Sequence, residues 1–200
     1  MKLDKLPSII AKSRFNKKGF TYSDSGLLVP AYVASDFGFY DSGRDELKRF
    51  YSELLEVGVL ALCPFQACRE YLDFSRLKKC KTERQKFNFW DRFNKIVGPI
   101  NYGELMPRSK LMIALLEGHC LDDGACAEIG HYATKYQGKR PIFGIRTDVR
   151  GGENPATSIN PAVRYFLDQG PYNNHFFENP NARQNALIAI ADFVEGLLVS

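Results

Sequence analysis

The chain has 200 residues, of which 44% are hydrophobic and 25% are charged, and its formal net charge at pH 7 is +4. This length suffices for one domain with a proper core, and the composition is that of an ordinary globular protein. The mild positive charge falls well short of a nucleic-acid-binding signature, and no apolar run approaches the roughly 20 residues that span a bilayer. The N-terminus lacks the apolar core of a signal peptide, so we expect a cytoplasmic protein.

The five cysteines are odd in number and lie mostly in apolar surroundings, which favours reduced thiols over a disulfide framework. A metal site could draw only on His119, Cys120, Cys126 and His131. Their spacing matches no usual zinc pattern. We therefore expect neither a metal nor a cofactor.

Residues 1–26 are basic and end in a turn-rich stretch, so we interpret them as an N-terminal extension of a single α/β domain, 27–200. The first strand is predicted within Leu27–Ser35. Because proline cannot donate to a strand ladder, Pro30 is expected near the start of that strand.

An amphipathic helix is predicted from about Arg44 to Gly58, followed by a strand at Val59–Leu62. The section 65–99 then mixes basic and aromatic residues, which can indicate binding of single-stranded nucleic acid. We favour an amphipathic helical pair with core aromatic residues and solvated lysines, because no known nucleic-acid-binding pattern surrounds it. The basic residues are Arg76, Lys78, Lys79, Lys81, Arg84, Lys86, Arg92 and Lys95, and the aromatic residues are Phe74, Phe87, Phe89, Trp90 and Phe93.

The stretch from residue 111 onward has the pattern of a strand, a turn and a helix. Leu111–Leu116 is a continuous apolar run, as expected of a strand buried on both faces, and Ala125–Tyr136 is helical in pattern. Functional groups of open α/β sheets collect where such turns leave the carboxyl ends of strands. Asp122 lies in this turn, and Glu128 lies one helical turn inside, between two apolar neighbours, where a carboxylate is costly.

The remaining elements are predicted as a helix at Asn101–Lys110, a strand at Ile142–Arg146 and helices at Ala162–Leu167 and Ala182–Leu198. Strands that alternate with helices predict a doubly wound, mostly parallel sheet of about five strands, flavodoxin- or Rossmann-like, with helices on both faces.

Three separated pieces of this sequence form a further pattern. The first is Ala-Tyr-Val-Ala-Ser-Asp-Phe-Gly-Phe at 31–39. The second is Asn-Tyr-Gly-Glu at 101–104, which precedes Ser-Lys-Leu at 109–111. The third, Asp-Asp-Gly-Ala-Cys-Ala-Glu-Ile-Gly at 122–130, is the most specific. A fourth and less specific piece of the pattern spans 147–163.

In this order, the pieces resemble the nucleoside 2-deoxyribosyltransferase family over about residues 27–170. The resemblance implies a nucleotide-salvage transferase that breaks the N-glycosidic bond of a 2-deoxynucleoside and passes the sugar to another base. It implies small-molecule nucleosides and free nucleobases as partners, not nucleic acid or a membrane. It also implies a homo-oligomer with shared active sites and no cofactor.

The resemblance assigns catalytic roles to three residues. Glu128 would form the covalent deoxyribosyl intermediate, by the logic of a retaining glycosidase nucleophile. Tyr32 would hydrogen-bond that carboxylate, and Glu104, where the family usually has Asp, would manage the proton of the base. Asp122 would accept a hydrogen bond from a sugar hydroxyl, and Gly124 belongs to the same motif.

The resemblance places further substrate-binding residues on two other loops. Asp36, Phe37 and Phe39 lie in the loop after the first strand, where the two phenylalanines would form walls for the base. Asn160 matches a residue that reaches the sugar from a neighbouring subunit.

Each assignment has an ordinary structural alternative. Glu128 could be a paired helix acid, although its apolar neighbours and the motif favour a functional role. Asp122 could be a helix cap and Asn160 another, since both residue types are favoured there. Glu104 could be a helix surface acid, and Tyr32 could be ordinary strand packing.

Two rival functions remain open at this point. One is an N-glycosidic hydrolase of deoxynucleosides or their 5′-monophosphates, although a carboxylate at Asp122 would repel a phosphate. The other is a non-catalytic nucleotide-binding module, for which the sequence offers neither a dinucleotide-binding nor a P-loop motif.

Overall fold

A computed structural model describes residues 5–23, 26–118, 121–148, 158–171 and 173–199. Two of the four residues weighed as a metal site, His119 and Cys120, lie outside this described part, as does most of the fourth motif piece. Among the described residues, no helix is both long enough and apolar enough to cross a membrane.

The strands within the described ranges form one sheet. β1 pairs antiparallel with the start of β2, and the other strands are parallel in the order β3-β2-β4-β5-β6. Since β2 is the first parallel strand in the chain, this is the flavodoxin-like order, which reverses between β2 and β4. The predicted doubly wound α/β fold is thereby confirmed. The strands are β1 Thr21–Ser23, β2 Gly26–Ala34, β3 Val59–Leu62, β4 Leu111–Leu115, β5 Ile142–Arg146 and β6 His175–Glu178.

Helices cover both faces of the sheet. Helices α2 and α9 pack Phe50 and Ile190 against one face, and α5 and α7 pack Ile96 and Ile129 against the other. The second face also carries the side chain of Tyr32 from β2. The helices are α1 Ser8–Lys12, α2 Asp41–Glu56, α3 Pro64–Arg69, α4 Ser75–Lys79, α5 Glu83–Gly98, α6 Met106–Arg108, α7 Asp123–Tyr136, α8 Pro161–Arg164 and α9 Ala182–Val199. A 3₁₀ turn spans Phe37–Phe39, and π-helical segments span Pro99–Leu105 and Tyr165–Gln169.

The expectation that Pro30 lies near the start of its strand is wrong, since Pro30 is central in β2 and pairs with Leu60 of β3. Successive residues of a strand direct their amides to opposite sides. The amide of Val29 donates to Gly58 on the β3 side, so the missing amide of Pro30 faces the β4 side. Pairing with β4 begins only at Ala31, so proline removes no ladder hydrogen bond there.

The N-terminal segment contacts the body of the domain. Ile10 of α1 and Phe20 are buried, and the hydroxyl of Ser8 donates to the Glu70 carboxylate at 2.6 Å. Thr21 of β1 pairs with Leu28 of β2. The described part of 1–26 thus packs on the sheet and on α3.

The basic segment forms α4 and α5, the second of which begins with a capping box between Thr82 and Gln85. The predicted burial of its aromatic residues holds only in part. Phe89 is buried, whereas Phe87 is 70% exposed and Trp90 is 41% exposed. Some aromatic surface of this segment is therefore left for another use.

Arg140 stabilises the turn that precedes β4. Its guanidinium donates to the carbonyl oxygens of Pro107 and Ser109 at 3.0 and 2.8 Å, and it stacks 4.1 Å from the ring centre of Tyr136. These carbonyls end α6, where no helical partner remains for them.

We expect Arg140→Ala to lower the free energy of unfolding by about 2 kcal/mol, because it leaves several partly buried carbonyls without their charged donor. Lys139→Ala, the neighbouring exposed cation, is the control and is expected to be nearly neutral. Urea denaturation of both variants measures the difference. Equal losses in the two variants would contradict this role for Arg140.

Candidate active site

A cleft of about 710 Å³ opens where the strand order reverses, beside the carboxyl ends of β2 and β4. This is the position at which open α/β sheets bind ligands, and the size is that of cavities for small molecules. Its walls come from the loop after β2, from α3, α4 and α5, and from the start of α7. The residues that line the cleft include Ser35, Phe39, Arg44, Phe65, Cys68, Arg69, Phe74, Lys78, Trp90, Phe93, Asn101, Asp122, Gly124 and Glu128.

Glu128 lies at the inner end of this cleft, in the second turn of α7, and only 9% of its surface is exposed. Burial raises its pKa to about 7, and the charge of Asp122 adds to the rise. Hydrogen bonding from Tyr32 and Asn101 opposes it. The carboxylate can therefore change protonation state near neutral pH, as groups that do acid–base or nucleophilic chemistry need to.

The amide nitrogen of Asn101 donates to Oε1 of Glu128 at 2.8 Å, and both residues are buried. The other amide atom, Oδ1, is buried without a hydrogen-bond partner in the described part of the protein. An unpaired acceptor in a cleft is costly unless a ligand or water supplies a donor. Asn101 therefore both fixes the carboxylate and offers an acceptor to whatever enters.

Tyr32 is fully buried and faces the same carboxylate from β2. Its hydroxyl favours the ionised form of Glu128. Burial raises the pKa of Tyr32, and the Glu128 carboxylate raises it further. The contact does not reach the geometry of a regular hydrogen bond, which leaves the hydroxyl unpartnered among the described residues. The structure thus places Tyr32 beside Glu128, and the hydrogen bond that the resemblance implies between them stays a prediction.

Glu104 does not line the cleft. Its carboxylate forms an ion pair with Arg108 at 2.6 Å, one helical turn along the chain. The π-helical turn at Pro99–Leu105 explains why, because it adds a residue per turn and rotates the side chains relative to an α-helix. Asn101, which the sequence analysis quoted but gave no role, takes the place at the carboxylate.

Asp122 is the N-cap of α7 and also lines the cleft. Its Oδ2 accepts a hydrogen bond from the amide of Ala125 at 2.8 Å, which leaves Oδ1 for other donors. A Cβ atom at Gly124 would lie 2.8 Å from Oδ2, so only glycine lets the carboxylate approach this closely. Gly124 thereby sets the position of Asp122.

Two further acids, Asp36 and Glu117, lie near Asp122, but neither lines the cleft, so the predicted contact of Asp36 with substrate stays a prediction. Burial raises the pKa of Asp36, and the charges of Asp122 and Glu117 raise it further. Glu117 in turn accepts hydrogen bonds from the amides of Thr147 and Asp148 at 2.7 and 2.8 Å, which joins the loops after β4 and β5. The carboxylates near Asp122 together disfavour a phosphate.

The two phenylalanines predicted as walls for the base lie in different places. Phe39 is 62% exposed and lines the cleft, where its ring contacts that of Phe65 at 4.8 Å. Phe37 instead packs against the core on the opposite face of the sheet and against Tyr40. Asn160 is exposed and caps α8, where its Oδ1 accepts a hydrogen bond from the amide of Ala162 at 2.9 Å. Its action on a neighbouring subunit stays a prediction.

Cys68 is a cleft residue that the sequence analysis did not single out. Burial raises the pKa of its thiol to about 12, with smaller contributions from the nearby Cys63 and Glu128. A thiol with such a pKa stays protonated and is a poor nucleophile at neutral pH. Glu128 is therefore the better candidate for covalent chemistry in this cleft.

No protein-family model matches the sequence, and no curated protein is detectably similar to it. Among solved structures, the chain is similar to a conserved protein from Enterococcus faecalis V583, with TM-score 0.53 and 17% identity over 83% of this chain and 99% of that one. It is also aligned with a 2-desoxiribosyltransferase from Leishmania mexicana, with TM-score 0.46 and 14% identity over 82% of this chain and 97% of that one. The first likeness establishes a shared fold, and the second, at its TM-score, establishes nothing further.

Burial of Glu128 predicts a pH-dependent gain in stability for Glu128→Gln. The pKa of the folded protein, about 7, exceeds the roughly 4.3 of an unfolded chain, so ionisation costs about 3 to 4 kcal/mol above pH 7 and nothing below about pH 4. The neutral amide avoids this cost and can still accept from Asn101. We expect the variant to be more stable than the wild type at pH 8 and nearly equal at pH 4.5, by urea denaturation.

Asp123→Asn, which changes an exposed acid of the same helix, is the matched control. A gain for Glu128→Gln that is the same at both pH values would contradict the raised pKa of Glu128.

Proposed function

We propose that this protein transfers the 2-deoxyribosyl group of a 2-deoxynucleoside between nucleobases, with Glu128 as the nucleophile that carries the sugar. The supporting observation is the buried Glu128 carboxylate, with its pKa raised to about 7 and its orientation fixed by Asn101, at the inner end of an aromatic cleft. The motif pieces of the sequence point to the same chemistry. The proposal leaves out Glu104 and Phe37, which do not line the cleft.

The proposed reaction consists of two displacements at the anomeric carbon. In the first, an oxygen of Glu128 bonds to this carbon while the N-glycosidic bond breaks. The electron pair of the N-glycosidic bond leaves with the base, which takes up a proton from water. In the second, a nitrogen of the incoming base attacks the same carbon, expels the carboxylate and loses its proton to water. Asn101 holds Oε1, so we assign the attack to Oε2. The configuration is retained, as in glycosidases that use one carboxylate twice.

The neighbouring acids suit a neutral sugar. Oδ1 of Asp122 can accept a hydrogen bond from a sugar hydroxyl while Oδ2 caps α7. Asp36 and Glu117 add negative charge near the same point, which favours a free nucleoside over its 5′-monophosphate.

Hydrolysis of the same intermediate by water is the second candidate. The protein offers no second carboxylate hydrogen-bonded to Glu128 within the described ranges, and the amide of Asn101 cannot activate water as a base. The exposed ring of Phe39, by contrast, gives an incoming base a surface on which to stack. Both observations favour transfer over hydrolysis.

The proposal predicts that wild-type protein, incubated with thymidine or deoxyinosine and free adenine, forms deoxyadenosine. Glu128→Ala removes the nucleophile and is expected to lower the rate by at least about a hundredfold. Chromatography separates the products, and intact-mass spectrometry with donor alone should detect protein that carries one deoxyribosyl group.

Asp123→Asn serves as the control, because this acid begins the same helix but does not line the cleft. Free base and deoxyribose without exchange would replace transfer by hydrolysis. Equal rates for Glu128→Ala and an active wild type would remove Glu128 from the mechanism.

The pH dependence gives a further prediction. A nucleophile must be ionised, so kcat/KM should rise with pH through an apparent pKa near 7. Asn101→Ala removes a donor that favours the ionised form, so the rise should move roughly one unit or more to higher pH.

Asn94→Ala, on the exposed side of α5, is the matched control and should leave the pH profile unchanged. A rate that falls through pH 7 would instead assign Glu128 the role of a general acid.

A further inference from the structure

The cleft extends well beyond Glu128 and ends against the basic segment. Phe74, Trp90 and Phe93 line this outer end, together with Lys78 and Arg69. We call it the outer subsite and define it by these five residues. We place the base of a nucleoside whose sugar lies at Glu128 beside Asn101 and Phe39, which leaves the rings of α5 for another group.

The rings of the outer subsite form a connected cluster. The ring of Phe93 stands edge-to-face against Trp90 at 5.6 Å and against Phe74 at 5.9 Å. Such contacts fix the orientation of each ring. Even so, 41% of the Trp90 surface is exposed, which provides a stacking surface for a flat ligand.

Of the cations that line the cleft, those of the outer subsite differ from Arg44 in having no carboxylate partner among the described residues. Arg44, which also lines the cleft, pairs with Asp41. Among the residues that the structure describes, neither Arg69 nor Lys78 has an ion pair, and both are exposed. The acids of the cleft, by contrast, are confined to its inner end. Carboxylates therefore line the cleft at its inner end, where the sugar would bind. Arg69 and Lys78 line it at the outer end, which contains the 41%-exposed Trp90.

We propose that the outer subsite binds an aglycone larger than a single nucleobase, namely a base that carries a second aromatic ring with a carboxylate or similar anion. The second ring stacks on Trp90 and Phe93, and the anion lies between Arg69 and Lys78. This inference rests on the proposed function, because it takes the sugar and the reacting base to lie at Glu128. The separation of charge orients the ligand, since an anion is repelled from the inner end and attracted to the outer one.

Trp90 is the only tryptophan of the chain, so its fluorescence reports occupation of the outer subsite whether or not any reaction occurs. The test titrates wild-type protein with adenine, N6-benzyladenine and N6-(4-carboxybenzyl)adenine. We expect the benzyl ring to tighten binding about tenfold over adenine, through stacking. The carboxylate should tighten it about two- to fivefold more, the range of an exposed ion pair.

Lys78→Ala should lower the preference for the carboxylate, which Arg69 still contacts, without changing the binding of adenine. Lys79→Ala is the matched control, because it removes the adjacent exposed cation, which does not line the cleft. Phe93→Ala should remove the preference for the benzyl ring, whereas Phe87→Ala, on the exposed side of α5, should not. The same compounds are then supplied as acceptors in the exchange assay with thymidine.

The outcomes separate the two proposals. Exchange onto adenine with no fluorescence change and no preference for the larger bases would overturn the outer subsite and leave the transfer function standing. The expected order of affinities without any exchange would support the subsite and overturn the reaction. Lys78→Ala could instead weaken the binding of deoxyadenosine 5′-monophosphate and not that of the carboxybenzyl base. In that case the cations would bind a sugar phosphate, and the inference would be wrong.

Discussion

The arrangement of this protein depends on one buried carboxylate. Glu128 lies in an apolar helix face, where ionisation is opposed by burial and assisted by only a few polar groups. Asn101 and Tyr32 supply that assistance from two different elements, a π-helical turn and the central strand β2. A carboxylate that was needed only for folding would be replaced at little cost by an apolar residue. Its presence, with partners on both sides, is therefore best explained by chemistry.

The neighbouring elements place these partners. The switch in strand order opens the cleft between β2 and β4, and the turn after β4 starts α7 at Asp122, which carries Glu128 to the inner end. On the other side, the π-helical turn directs Asn101 inward, and Arg140 fastens the chain that follows it. Insertions of this kind in helices are often found at functional sites. Here the insertion supplies the donor that orients the carboxylate.

Much of the fold follows from local sequence pattern, because apolar runs and helical periodicity directly report burial in a parallel sheet. The strand β6, His175–Glu178, was not predicted, since it is four residues long, only partly buried and lacks a continuous apolar run. For the site, the motif at 122–130 points to Asp122 and Glu128, and both residues line the cleft. It could not exclude Glu104, because the phase of a helix with a π-turn cannot be read from α-helical spacing.

The same difference between local and tertiary information explains the basic segment. Its periodicity correctly predicts helices, but periodicity alone does not separate an aromatic residue in the core from one in a cleft. Phe89 and Trp90 are adjacent in sequence, yet one is buried and the other lines the cleft. The distinction arises only when α5 packs beside α3 and leaves its outer rings facing the site. A segment that composition alone makes look like a nucleic-acid surface thereby supplies one wall of the cleft.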